Sequence, residues 1–127
     1  MNVVDSSAWL EYFAGGPNAD FFGPPIEGHG ELVVPSICVT EVFRRIMQQV
    51  DDEAAMRATA AMQRHGAVVD LNAALAREAG RVGVELRLPL ADSIVYATAL
   101  ACDATVWTQD SDFEKLPKVR YRPKKTK

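Results

Sequence analysis

Short β-branched runs alternate with helix-periodic stretches along the whole chain, and this alternation limits the fold more than any other feature. Val3-Val4, Glu31-Leu32-Val33-Val34, Ala67–Leu71 and Thr105–Thr108 read as strands. Helical patterns separate each from the next, and a fifth, short run, Val119-Arg120-Tyr121, reads as an edge strand before Pro123. Strands joined through helices are crossover connections rather than hairpins, so they lie parallel. The expected fold is therefore α/β: a central, mostly parallel sheet of about five strands with helices on both faces. With 127 residues and 48% hydrophobic content, a single domain over 1–127 around one core is expected.

Breakers and caps bound the helices. Ser6 caps a helix through Ala14 that carries Trp9, Tyr12 and Phe13 on one face, and Gly15-Gly16-Pro17 ends it. Gly23, Pro24, Pro25, Gly28 and Gly30 interrupt residues 18–30, leaving room for a short helix near Asn18–Phe22. Ser36 caps a helix to about Gln49 with the stripe Val39, Val42, Phe43, Ile46, Met47 and Val50. Asp51-Asp52-Glu53 opens another, with acids at the positive end of the dipole, and it closes near His65-Gly66. Asn72 caps a helix to about Glu85 with Leu75, Ala79 and Val82 inward; Gly80 and Gly83 weaken its regularity. Pro89 starts the Leu90–Cys102 helix, apolar nearly all round and so expected to be buried.

Charge is unevenly spread. Residues 1–112 hold 7 basic and 16 acidic residues, whereas residues 113–127 hold 7 basic residues and one acid, Glu114. A basic tail of this kind meets phosphates or is a solvated terminus, and Lys124-Lys125-Thr126-Lys127 read as the latter. Cys38 and Cys102 lack CxxC spacing and sit in apolar helical patterns, which fits buried free thiols in a reducing compartment. His29 and His65 read as surface residues. Met1 leads straight into a strand with no basic and apolar leader, and the Ile94–Cys102 apolar run is about half a bilayer span. A soluble, cytoplasmic protein without membrane contact is expected.

Acids fall where such a sheet would gather them, because ligands of open α/β sheets bind beyond the C-terminal strand ends. Asp5 ends the first strand, Asp110 follows the fourth with Asp112 two residues on, and Asp92 lies in the first turn of the apolar helix. Glu41 lies early in the helix after the second strand. Each has a structural use as well: Asp5 as a cap, Asp110 and Asp112 as turn residues, Asp92 as a dipole partner. The helical wheel puts Glu41 away from the Val39–Phe43–Ile46 stripe, among Arg44, Arg45 and Gln48. Together, clustered carboxylates without His or Cys suit a hard cation, Mg²⁺ or Mn²⁺, and metal-dependent phosphodiester hydrolysis. Ser6 and Thr108 are candidates for orienting a carboxylate or a bound water.

Four stretches resemble a known family. Val3-Val4-Asp5-Ser6-Ser7-Ala8-Trp9-Leu10 resembles the opening motif of PIN-domain ribonucleases, and Val34-Pro35-Ser36-Ile37-Cys38-Val39-Thr40-Glu41-Val42 their second. Leu90-Ala91-Asp92-Ser93-Ile94-Val95-Tyr96-Ala97-Thr98-Ala99 resembles the third, and Trp107-Thr108-Gln109-Asp110-Ser111-Asp112-Phe113 the fourth. In length and compactness the chain is similar to VapC toxins of toxin–antitoxin pairs. The resemblance implies a PIN-like fold and a Mg²⁺- or Mn²⁺-dependent endoribonuclease, inhibited by a cognate VapB-type antitoxin and forming a homodimer. It carries the metal and catalytic acids to Asp5, Glu41, Asp92 and Asp110, with Asp112 at a less uniform position.

Lys115, Lys118, Arg120 and Arg122 are candidate RNA phosphate contacts. Apolar groups near Trp9, Tyr12, Phe13, Phe21 and Phe22 are split between core packing and a groove for an antitoxin helix. Two other readings stand beside the toxin: a PIN ribonuclease of RNA processing, and a non-catalytic Mg²⁺-binding α/β regulatory module. A phosphoryl-accepting module calls for a lysine after a late strand, and Lys115 is the nearest candidate.

Overall fold

The computed structural model describes residues 1–28 and 30–125; His29, Thr126 and Lys127 lie outside the described residues. The strands are β1 (Asn2–Val4), β2 (Leu32–Pro35), β3 (Ala67–Val69), β4 (Thr105–Thr108) and β5 (Val119–Tyr121). They form one sheet in the order β3-β2-β1-β4-β5, with every pairing parallel. The helices are α1 (Ser6–Ala14), α2 (Ala19–Ile26), α3 (Ser36–Gln49), α4 (Asp52–His65), α5 (Ala73–Leu86) and α6 (Leu90–Ala101), with a 3₁₀ turn at Ser111–Phe113. Among the described residues no helix is long and apolar enough to cross a membrane.

The chain steps outward from β1 to β2 to β3, then crosses back to lay β4 on the other side of β1. That reversal opens a crevice at the C-terminal ends of β1 and β4, where α/β sheets bind ligands. The inner strands β1 and β2 are largely apolar and buried, as cover on each side requires: Val3, Val4 and Val34 are fully buried, as is Val106 of β4. Phe22, Trp9, Ile26, Met62, Val95 and Phe113 complete the core.

The helix after the third strand and the one after Pro89 pack against each other, and glycine sets how closely. A Cβ on Gly83 would sit 2.6 Å from Ser93 Oγ, so this position needs a bare backbone, while Gly80 faces open space. Ser93 through Ala99 are all buried in α6, as its composition requires. Its buried hydroxyls are all satisfied: Ser93 donates to Pro89 O and Thr98 to Ile94 O, each at 2.8 Å one turn back, and Tyr96 to Pro117 O at 2.8 Å.

Several boundaries differ from expectation. Asp5, not Ser6, caps α1, because its carboxylate accepts from the Ala8 N–H. Pro35, not Ser36, precedes α3 and makes no side-chain cap. α2 runs on through Gly23, Pro24 and Pro25 to Ile26. The prolines forgo two backbone bonds, but their fixed φ is already helical, and burial of Phe22, Pro25 and Ile26 offsets the loss. β3 stops at Val69, leaving Leu71 exposed. Met47 and Val50, placed on the α3 stripe by periodicity, are 51% and 67% exposed, since that end of the helix runs beyond the core.

Candidate active site

Asp5 sits at the sheet's centre of exchange. As N-cap of α1, its Oδ1 accepts from the Ala8 N–H at 3.0 Å and the Ser7 hydroxyl at 2.8 Å, and Oδ2 accepts from the Thr108 hydroxyl at 2.7 Å. Only 4% of the residue is exposed. Burial pushes its carboxyl up to about 6, against the three hydrogen bonds that favour the charge, and the nearby Asp110 adds to the rise. Oδ2 has one internal partner and keeps a lone pair for a cation. A cap and a cation ligand are thus compatible uses of one side chain.

Thr108 joins two acids. Its hydroxyl donates to Asp5 and accepts from the Asp110 N–H at 2.9 Å. Asp110 in turn caps the 3₁₀ turn, its Oδ1 accepting from the Asp112 N–H at 2.9 Å. Asp92 enters from the first turn of α6. Oxygens of Asp92, Asp110 and Asp112 all lie within 4.8 Å of one another. Burial first, and then the Asp110 charge, a hydrogen bond with Asp112 and the charges of Asp112 and Asp5, push the Asp92 carboxyl up to about 8. Carboxylates set this close repel one another, and a cation placed among them relieves that repulsion.

Glu41 stands on the far wall. Its Oε1 accepts from the Ser6 hydroxyl at 2.5 Å, so α1 covers the side of α3 that the wheel left to solvent. Asp5, Glu41, Asp92 and Asp110 line one open cavity of about 910 Å³. Asp112, the least secure of the five by sequence, stands in the tight carboxylate group; Glu41 faces the same cavity but lies outside that group.

The donor set is all-oxygen and the carboxylates around Asp92 raise its affinity for a proton, so a divalent cation fits: Asp92, Asp110 and Asp112 would hold it, with Asp5 and Glu41 lining the same cavity. The buried Cys38 is no rival ligand, since burial holds its thiol strongly protonated.

The basic residues picked from the tail are not brought to this cavity. Lys118 pairs with the exposed Asp103, while Arg120 and Arg122 stack on the rings of Trp107 and Phe21 at 5.1 and 4.4 Å. Lys115 is exposed and is not among the cavity's lining residues. Trp9 and Phe22 are in the core, so they are not available for docking; Tyr12, Phe13 and Phe21 are half-buried against it. Sequence reading missed Ser7, whose hydroxyl holds Asp5, and Arg45 and Lys124, which line the cavity. Ser7 lay inside the opening stretch; Lys124 carried no local signal at all.

The model of the PIN domain matches residues 3–119, and the chain belongs to that family. No curated protein matches it. Among solved structures it is similar to VapC20 from Mycobacterium tuberculosis, described as a sarcin-ricin loop cleaving toxin (20% identity, TM-score 0.78, covering 97% of this chain and 100% of that one). It is also similar to a chain of a toxin–antitoxin complex from Klebsiella pneumoniae (19%, 0.77, 94% and 96%) and of VapBC2 from Rickettsia felis (14%, 0.75, 96% and 97%). At these identities the likeness shows a shared fold: the five-stranded parallel sheet with six helices is that of VapC structures.

Proposed function

We propose that this chain is the toxin of a toxin–antitoxin pair, a Mg²⁺- or Mn²⁺-dependent endoribonuclease acting in the cytoplasm and inhibited by a cognate VapB-type antitoxin. The observation that carries the reading is the convergence of Asp5, Asp92 and Asp110 on one crevice, where burial first and then the neighbouring carboxylates push Asp92 up to about 8. Membership of the PIN family and the RNA-cleaving activity named for VapC20 support it. A bound divalent ion would supply an activated water and charge stabilisation at the phosphodiester oxygens. The chain's own residues do the rest. Ser7 and Thr108 fix the Asp5 carboxylate, Thr108 also fixes Asp110, and Ser6 orients Glu41 across the cavity.

Beyond the acids the cavity turns apolar, lined by Leu10 and Phe13 of α1, Ile46 of α3 and Val50 just past its end, and Ala58 and Ala61 of α4. This groove suits the apolar face of an antitoxin helix, and an inhibitor seated there would block the acids. Val84 and Leu90, 82% and 80% exposed on α5 and α6, are the residues we assign to a homodimer contact.

The test is cleavage of total RNA by purified, antitoxin-free protein, with Mg²⁺ or Mn²⁺, with EDTA, and with Asp5→Asn and Asp92→Asn. Discrete fragments that require metal and vanish in both variants are expected. Identical patterns from wild type and variants would mean contamination and end the reading. Metal binding through these acids without any cleavage would favour the regulatory module instead.

A further inference from the structure

Arg122 and Pro123, just after β5, are fastened to the body of the fold. The Arg122 N–H donates to Thr108 O at 3.1 Å, its guanidinium lies 4.4 Å from the Phe21 ring centroid, and Asn18 Nδ2 donates to Pro123 O at 3.0 Å. Asn18 is fully buried. Since a carbonyl can only accept, the atom facing Pro123 must be the amide nitrogen. The same nitrogen donates to Gln109 Oε1 at 3.1 Å, leaving Gln109 Nε2 to face Ser7 O at 3.4 Å. One buried amide thus ties the tail to the residue before Asp110. Asn18 Oδ1 is left without a partner, so the amide is kept there for what its nitrogen holds.

The residue immediately beyond this clamp is Lys124, and it lines the cavity with Asp5, Glu41, Asp92 and Asp110. Among the described residues no carboxylate lies within 4.0 Å of its ammonium. A cation fixed beside an acidic cavity without neutralising it can contact a polyanion that the acids alone would repel. We propose that Lys124 is a substrate-binding residue that contacts an RNA phosphate flanking the scissile bond, and that Asn18 is the positioning residue that holds it there. The inference rests on the ribonuclease reading.

The test is fluorescence anisotropy of a labelled oligouridylate, with Ca²⁺ in place of Mg²⁺ and RNA integrity checked by gel, across a salt series. Lys124→Ala is expected to weaken binding about fivefold at low salt and to reduce the slope of log affinity against log salt by about 0.7, one single-strand phosphate contact. Lys124→Arg restores both. Lys125→Ala, which removes the same charge from the neighbouring residue, has the smaller effect. Asn18→Ala, if it folds by thermal melting, weakens binding like Lys124→Ala and adds little to it in the double variant. Equal effects of Lys124→Ala and Lys125→Ala, or none, overturn the proposal whether or not Asn18→Ala folds. RNA cleavage with unchanged affinity in Lys124→Ala would overturn this inference alone; Lys124-dependent binding without cleavage by wild type would overturn the nuclease reading alone.

Discussion

The two walls of the cavity are built differently. On one, Asp5 follows β1, Asp110 follows β4 and Asp92 lies half-buried in the first turn of α6, and Asp5 is held by three hydrogen bonds. On the other, Glu41 and Arg45 come from α3, whose outer half is exposed, and Val50 from just past its end; Glu41 has the single partner Ser6. The first wall fixes charge in a low-dielectric setting. The second presents apolar surface and cations to whatever enters. On the function proposed above, chemistry falls to the wall held by the denser hydrogen bonding and recognition to the other.

Substitutions should expose this difference in order of size. Asp5→Asn and Asp92→Asn are each expected to lower cleavage by about 10³-fold or more, measured on a defined RNA, because they remove anionic ligands from the rigid wall. Glu41→Gln on the other wall should cost about 10- to 100-fold; a loss equal to that of Asp5→Asn would erase the distinction.

Thr108→Val tests the rigid wall through its support. It leaves Asp5 Oδ2 and the Asp110 N–H without their shared partner, so cleavage should fall about 10-fold or more and stability by about 1–3 kcal/mol in denaturant titrations.

The pH dependence of the metal-free protein follows from the same burial. Asp5 is raised from 3.8 to about 6 in the fold, so the unfolded state holds fewer protons across that window. Stability is therefore greatest at low pH and declines as pH rises through about 6, by about 3 kcal/mol from Asp5. Asp92, raised to about 8, extends the decline to that pH. Thermal melts should show Tm falling from pH 5 to 8.5 in EDTA, with Mg²⁺ restoring more at pH 8.5 than at pH 5. A rising Tm would contradict the site's electrostatics.

The smallest effect is expected away from both walls. Val84→Glu and Leu90→Glu should leave chain stability within about 0.5 kcal/mol while shifting the protein to monomer in sedimentation.

The sequence made the sheet legible because β-branched runs and proline boundaries mark it locally: Thr105–Thr108, Val119–Tyr121 and the start at Leu90 stand where they were expected. What it concealed depends on tertiary contact. Nothing local carries α2 across Gly23-Pro24-Pro25, where burial overrides propensity. Glu41 read as solvent-facing because the wheel has no knowledge of Ser6, 35 residues away. The Asn18–Gln109 bond spans 91 residues, and so Lys124 read as a solvated end. For the acids, position in the four stretches pointed to Asp5, Glu41, Asp92 and Asp110, and the structure lines one cavity with them.

β1 is the central strand, yet it precedes the other four in sequence. Its residues Asn2, Val3 and Val4 pair with Thr105, Val106 and Trp107, which emerge about a hundred residues later. Contacts this distant in sequence are slow to close. A growing chain that stops before Thr108 has no hydroxyl on Asp5 Oδ2 and no Asp110 beside Asp92. The acidic centre therefore comes into being only when β4 has joined β1, and no fragment lacking β4 can contain it.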